Sequence, residues 1–249
     1  MALSYEKSYE VHYYECDKNL NCTIETIMNY LSDIGNKHAE SRNVGIDYLN
    51  ARNLTWVFYK YNIKINRYPK YGENIRVKTI AQQFKKFYAL RYYEIYDEND
   101  KKIIEGSAVF LLIDMLKRRA VRITDDQYEA YDVDKESKSR DLIGRLQRLE
   151  KVKEREFINE FKVRYSDIDS NNHVNNVKYV QWVMDTIPKE IIDNSKLKEI
   201  DILYEKECYY DDMVTCVCEV HQQEEETIVL SKIEDVDGKE LTEFVLKWQ

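Results

Sequence analysis

Few features that break or cross-link a polypeptide occur in this 249-residue sequence. Only 2 prolines and 6 glycines are present, so we expect regular elements joined by short turns rather than long irregular loops. The 5 cysteines are an odd number and follow no secretory signal, which argues against a disulfide framework. No apolar run approaches the roughly 18 residues that cross a bilayer. The sequence therefore predicts no membrane span.

The net charge and the spacing of possible metal-ligating residues argue against nucleic-acid-binding and metal-binding proteins. The formal net charge of −8 disfavours general nucleic-acid binding, which needs basic patches. Cys216 and Cys218 share one face of a strand-like run, but no second Cys or His pair stands at metal-ligand spacing, so we predict no metal and no cofactor. The N-terminus has neither the apolar core of a signal peptide nor an Arg-rich presequence, which predicts a cytoplasmic protein.

Apolar periodicity predicts both helices and strands. From Ile24 to His38, apolar residues recur at helical spacing behind Thr23, a candidate N-cap, so we expect a helix of about five turns. Alternation of apolar and polar residues predicts strands. The strand-like runs lie at 59–65, 75–81, 87–96 and 103–115, with turns at 71–74 and 97–100.

A polar stretch from Arg164 to Asn176 holds two Asp, four Asn and one His in thirteen residues. Such side chains compete with helical hydrogen bonds and favour turns and caps. We therefore predict a loop after a strand at 161–165. A helix that Asn175 or Asn176 caps should follow and end near Pro188.

Three polar residues of this loop alternate along the chain, Asp169, Asn171 and His173. In an extended loop their side chains would leave on one side. An Asx-rich turn with a surface histidine explains the same composition. Of the four histidines, however, His173 alone has carboxylates and amides clustered with it, and its imidazole is the one side chain there that titrates near neutral pH.

The second half of the chain repeats the first. A shift of 152 residues places Asp17 on Asp169, and toward the C-terminus a shift of 137 places Asp100 on Asp237. A strand, a loop, a long helix and a meander of strands are thus written twice. We predict an N-terminal repeat at 1–123, a charged connecting segment at 124–157 that ends in a basic helical stretch, and a C-terminal repeat at 158–249.

The first repeat lacks the reactive groups of the second. Asn21 stands where the second repeat has His173, and Tyr68-Pro69 matches Glu207-Cys208. We therefore expect chemistry in the second repeat alone.

Several stretches resemble the fatty acyl-acyl-carrier-protein thioesterases of the plant and bacterial type. The run D-I-D-S-N-N-H-V-N-N-V-K-Y-V-Q-W over 167–182 resembles the signature of that family, and Tyr204-Glu205-Lys206-Glu207-Cys208 resembles its second active-site segment. In the first half of the chain, stretches at 22–31, 56–57, 67–72 and 117–119 also resemble segments of the family, and all of these segments occur in the family's order. The resemblance covers nearly the whole chain. It implies an α+β tandem double hotdog, two repeats that each wrap a long central helix in an antiparallel sheet.

The resemblance also implies hydrolysis of acyl-carrier-protein thioesters in fatty acid biosynthesis, with Asp169, Asn171, His173, Glu207 and Cys208 as the catalytic set. Two schemes fit these residues. In one, His173, oriented by Asn171, deprotonates Cys208, which forms an acyl-enzyme. In the other, Glu207 and His173 activate a water while Asp169 and Asn171 position the thioester. In either scheme, backbone N–H groups at the start of the following helix could receive the oxyanion. We favour the water, because a thiolate beside anionic Glu207 would be disfavoured.

Further roles are assigned to the first repeat and to basic residues. Acyl-chain contacts are expected from Met28, Ile34, Trp56 and Phe110. Arg118 and Arg119 are expected to dock acylated acyl carrier protein, itself acidic. A second basic group could dock the carrier or be an ordinary solvated face; it consists of Arg145, Arg148, Lys151, Lys153 and Arg155.

Other functions stay open on the sequence. They are acyl-CoA hydrolysis on the same fold, a non-catalytic acyl-binding protein and a hotdog dehydratase. Whether the chain forms a homodimer is also open. Plant members of the resembled family carry a plastid transit peptide, and its absence suggests a bacterial origin.

Overall fold

The computed structural model describes residues 3–135, 148–169 and 171–249. Contacts divide the chain into two units. The first comprises Met1–Tyr59 with Ile65–Gln147, and the second comprises Lys60–Lys64 with Arg148–Gln249. The predicted domain limits remain a prediction.

The first unit packs one long helix against an antiparallel sheet. Its helices are α1 (Ile24–Ser41), α2 (Ile46–Asn50) and α3 (Asp125–Tyr131), and its strands are β1 (Ser4–Glu10), β2 (Leu54–Ile65), β3 (Asn74–Lys85), β4 (Tyr88–Tyr96), β5 (Lys102–Asp114) and β6 (Arg119–Ala120). The sheet has the order β1-β3-β4-β5-β2, and β6 pairs with β5.

Helix α1 forms as predicted. The Thr23 hydroxyl accepts the Thr26 N–H at 3.2 Å and so caps the first turn. Ile27, Leu31 and Ile34 recur along one face and are fully buried, which provides the apolar stripe that holds the helix to the sheet.

The second unit repeats this arrangement. Its elements are β7 (Phe157–Lys162), α4 (Asn176–Thr186), α5 (Lys189–Asn194), β8 (Leu197–Tyr204), β9 (Met213–Gln222), β10 (Thr227–Asp235) and β11 (Glu240–Trp248). Its strand order is β8-β11-β10-β9-β7, and Lys60–Lys64 pair antiparallel with β8. Helix α4 packs on β7, β9 and β10. Each unit is therefore one helix against an antiparallel sheet, the hotdog arrangement predicted from the sequence.

The backbone confirms the repeat and corrects its second shift. Asp97 accepts the N–H groups of Asn99 and Lys101, and Asp235 accepts those of Asp237 and Lys239. These equivalent turns are 138 residues apart, so the predicted shift of 137 is wrong by one. Asp100 matches Gly238, since both have a positive φ, 58° and 76°.

Two local predictions are also wrong. The strand predicted at 161–165 lies at Phe157–Lys162 and gives way to a 3-10 turn at Tyr165–Asp167. Among residues 148–155 of the connecting segment there is no helix, because these residues make side-chain and backbone bonds to the second unit's sheet instead. Arg145 lies outside the described residues. Earlier in that segment, helix α3 buries Gln127 and Tyr131 in the first unit.

Among the described helices, none is both long and apolar enough to cross a bilayer.

Candidate active site

The predicted site loop is a closed turn rather than an extended segment. Ile168 and Val174 form an isolated bridge, and the Asp169 N–H donates to the His173 carbonyl at 2.9 Å. The Asp169 carboxylate accepts the Asn171 N–H at 2.7 Å, a local bond that Asx residues favour. The expectation of an extended loop is therefore wrong.

The first repeat builds the same turn without a histidine. The Asp17 N–H donates to the Asn21 carbonyl at 2.8 Å, and its carboxylate accepts the Asn19 N–H at 2.8 Å. Because the bond recurs in the repeat that lacks an imidazole, the Asp169 carboxylate shapes the turn that presents His173.

His173 and Glu207, far apart in sequence, meet in the second unit. The imidazole Nε2 lies 3.3 Å from a Glu207 carboxylate oxygen, and the side chains are 28% and 41% exposed. The Tyr209 ring packs edge-on against the imidazole, with centroids 5.1 Å apart. A carboxylate against a half-exposed imidazole makes a general base that a substrate can reach.

Cys208 is held away from this pair. Its side chain is 3% exposed, and its Sγ lies 3.1 Å from the Tyr179 hydroxyl. In the described part of the chain, its thiol has no hydrogen bond to His173. Burial raises the pKa of Cys208 to about 11, the Tyr179 bond offsets part of this, and Asp212 and Asp167 add to it. The thiolate is thus disfavoured, the direction expected from the sequence, and burial rather than a neighbouring charge is the main cause.

Among the described residues, no hydrogen bond joins the Asn171 carboxamide to the imidazole, although the cysteine scheme requires Asn171 to orient that ring. The residue is exposed, and among the described residues its carboxamide has no hydrogen-bond partner. The carboxamide can therefore donate to a substrate carbonyl.

The start of helix α4 is already capped, as predicted. Asn175 accepts the Val177 N–H on its carboxamide oxygen at 3.0 Å. That amide is occupied and does not meet an oxyanion. The Asn175 N–H in turn donates to the Asp167 carbonyl at 2.8 Å, which ties the helix to the 3-10 turn.

Two polar residues of the site were missed by sequence reasoning, Asp167 and Tyr179. Burial raises the pKa of Asp167, but hydrogen bonds from Arg164 outweigh burial and hold that pKa below its ordinary value. Tyr179 lies one helical turn from the cap, among apolar residues. The repeat carried a signal for it, since a shift of 152 places Tyr179 on Ile27, a polar group at an otherwise apolar position.

Of the four residues predicted to contact an acyl chain, two lie on α1 and two lie on strands β2 and β5. Trp56 and Phe110 are half-buried and pack against an apolar cluster that includes Phe84. Met28 and Ile34 are buried in α1.

The two basic groups differ in their surroundings. Arg118 and Arg119 are exposed in the turn and strand after β5, next to Leu116, which is 76% exposed. In the connecting segment, Lys151 pairs with Glu240 at 2.7 Å and with Glu243 at 2.9 Å.

Other members of that segment also make bonds to the sheet. Arg155 pairs with buried Glu234, and the Lys153 N–H donates to buried Glu219 at 2.6 Å. The charges of Lys151 and Arg155 therefore hold the segment on its own unit.

Within the described ranges, no cluster of three or more His, Cys, Asp or Glu is arranged to hold a metal ion.

Solved structures share this fold over nearly their whole length. An acyl-ACP thioesterase from Bacteroides thetaiotaomicron superposes with a TM-score of 0.85 at 22% identity, over 99% of this chain and 98% of that one. The 12:0-ACP thioesterase from Umbellularia californica gives 0.86 at 21%, over 99% and 94%. The fold class is thus the tandem double hotdog.

Sequence comparison defines the family. Models of the acyl-ACP thioesterase N-terminal and C-terminal domains match residues 2–131 and 150–249, so the chain belongs to the acyl-ACP thioesterase family. Oleoyl-acyl carrier protein thioesterase 1, chloroplastic, of Arabidopsis thaliana is 30% identical over 229 residues, which cover 86% of this chain and 63% of that protein. The chain therefore spans less than two thirds of that relative's length.

Proposed function

We propose that this protein hydrolyses fatty acyl-acyl carrier protein to a free fatty acid and the carrier's free thiol, as a step of fatty acid biosynthesis. The contact of His173 with Glu207 at 3.3 Å carries the proposal, because it supplies a base in the repeat that also holds Asn171. Membership of the family and the names of its relatives support the acyl-carrier-protein substrate.

The nucleophile is a water activated by the Glu207–His173 pair. The water oxygen bonds to the thioester carbon and its proton passes to the pair. The carbon–sulfur bond then breaks, and the proton goes to the leaving sulfur. A thioester is already reactive, so one base worth ~10²–10⁴-fold suffices with good positioning. The Asn171 carboxamide donates to the thioester carbonyl, and Asp169 maintains the turn that presents both side chains.

The first unit binds the acyl chain. It lacks His173 and Glu207 equivalents but keeps a large apolar interior. Trp56 and Phe110 are the best supported contacts, because their half-buried rings border one cluster. Met28 and Ile34 act from α1, where they are buried.

The carrier docks on the basic turn that contains Arg118 and Arg119. In the described part of the chain, no carboxylate pairs with Arg119, whereas Lys151 and Arg155 are engaged by glutamates. The exposed Leu116 side chain offers an apolar contact beside these charges. An acidic carrier meeting an acidic enzyme needs such local positive charge.

The experiment compares the rates at which the protein releases free fatty acid from the same acyl group carried by acyl carrier protein and by CoA. The protein should prefer the carrier-bound substrate, and thiol release would exclude a dehydratase. His173→Ala and Asn171→Ala should each lower the rate by a factor on the order of 10²–10⁴ with the fold intact. Near-normal hydrolysis by either variant would refute the site, and equal or better turnover of acyl-CoA would refute the carrier.

A further inference from the structure

Tyr179 joins α4 to the segment that carries Glu207. Tyr179 and Cys208 are 2% and 3% exposed. The Cys208 N–H donates to the Tyr179 hydroxyl oxygen at 3.1 Å, and the same oxygen lies 3.1 Å from the Cys208 Sγ. If the oxygen accepted from both groups, its own hydrogen would be buried without an acceptor, at a cost of about 1–3 kcal/mol. The hydroxyl therefore donates to the sulfur.

Both backbone hydrogen-bonding groups of Cys208, its N–H and its carbonyl, have partners. Its carbonyl accepts the N–H of Val174 at 3.1 Å, and Val174 directly follows His173. One bond thus ties Cys208 to the histidine turn and the other ties it to α4. Glu207, the preceding residue, has its backbone placed by this pair of bonds.

The first repeat keeps the equivalent of the carbonyl bond and lacks the equivalent of the hydroxyl bond. There, Pro69 stands in place of Cys208 and Ile27 in place of Tyr179. The carbonyl bond persists, since Pro69 accepts the Cys22 N–H at 2.7 Å. The hydroxyl bond has no equivalent, because proline has no N–H and isoleucine no hydroxyl. The carbonyl bond is therefore common to both repeats, whereas in the ranges that the structure describes the hydroxyl bond is found in the repeat that holds His173.

We propose that Tyr179 is a positioning residue that acts through Cys208 to keep the Glu207 carboxylate against His173. The proposal rests on the proposed hydrolysis. Cys208 then contributes its backbone N–H and a neutral sulfur, which explains why a cysteine sits beside the base without reacting.

The test is Tyr179→Phe, with Tyr204→Phe as the matched control. Tyr204 is also a buried tyrosine, its ring packs edge-on against that of Tyr179, and its hydroxyl donates to the Asn176 carbonyl at 3.1 Å. Tyr179→Phe should lower kcat by a factor on the order of 10–100 with KM unchanged, because a small misplacement of catalytic groups costs that much. Tyr204→Phe should lower stability comparably and leave kcat unchanged. Equal kcat values for the two variants would overturn the proposal.

A double-mutant cycle checks the route of the effect. In Glu207→Asp the shortened carboxylate is already displaced, so adding Tyr179→Phe should change kcat by no more than about twofold. Full additivity would mean that Tyr179 acts elsewhere. Should Tyr179→Phe fail to fold, Cys208→Ala provides the second arm, with a fall in kcat under about tenfold that is again non-additive with Glu207→Asp.

The crystal structure of the Tyr179→Phe protein separates this inference from the proposed function. The Glu207 carboxylate should lie beyond hydrogen-bond reach of the His173 Nε2. Retention of the 3.3 Å contact would overturn the positioning role whatever the activity. A displaced carboxylate in a protein whose wild type releases no fatty acid would uphold the positioning and refute the hydrolysis.

Discussion

Replacing Cys208 distinguishes an activated water from a cysteine nucleophile. The pKa of the thiol rises from 9.0 to about 11 through burial, and two pK units correspond to about 2.7 kcal/mol against the thiolate. At pH 7 only about one thiol in 10⁴ is then ionised. A thiolate nucleophile would make hydrolysis rise about tenfold per pH unit from pH 7 to 10. With water as nucleophile, Cys208→Ala and Cys208→Ser should keep kcat within about tenfold of wild type.

The matched control is Glu207→Gln, which preserves shape and removes the charge. It should lower kcat by about 10²–10⁴-fold. Free fatty acid released from acyl carrier protein is quantified by mass spectrometry against an enzyme-free blank, and acid-quenched protein is weighed intact. An acyl adduct on Cys208, or equal losses in Cys208→Ala and Glu207→Gln, would refute the water mechanism.

Three further predictions concern the first unit. The proposed acyl contacts are Met28, Ile34, Trp56 and Phe110. Enlarging or shrinking one of these side chains should change the preferred acyl chain length more than the rate, with a discrimination of roughly 1–3 kcal/mol per methylene. An unchanged chain-length profile for variants of all four residues would count against a pocket there. Reversing Arg118 and Arg119 together to Glu should raise the KM for acyl carrier protein, less so in high salt, and spare a small uncharged thioester; equal harm to both substrates would mean the arginines are structural. Burial, with Arg91 adding, lowers the pKa of His38 to about 3. The unfolded state then binds the extra proton, and stability should fall by about 2.5 kcal/mol between pH 7 and 4.5. Urea unfolding should show a smaller loss of stability between pH 7 and 4.5 in His38→Gln than in the control variant His221→Gln. Equal losses in the two variants would contradict the role given to His38.

Local features of the molecule could be predicted from the sequence because their causes are local. The cap of α1 by Thr23 joins residues three apart, and the Asn175 cap of α4 joins residues two apart. The duplicated order of elements was readable because each repeat carries its own apolar period and its own Asx turn. The prediction that chemistry lies in the second repeat rests on two local differences, Asn21 in place of His173 and Tyr68-Pro69 in place of Glu207-Cys208.

Tertiary packing decided which groups meet. His173 and Glu207 are 34 residues apart in the chain, and their contact depends on where the turn before α4's cap and the segment after β8 come together. The bond between Tyr179 and Cys208 depends equally on the packing of α4. The repeat marks Tyr179 as a polar group at an apolar position, but it does not identify the partner of the hydroxyl. The basic segment shows the same limit. From the sequence, Lys151 and Arg155 were predicted to belong to a solvated or docking surface, but in the structure each pairs with a buried glutamate of the sheet. Periodicity indicates which face of an element is apolar, and it does not indicate which distant charge lies opposite a given residue.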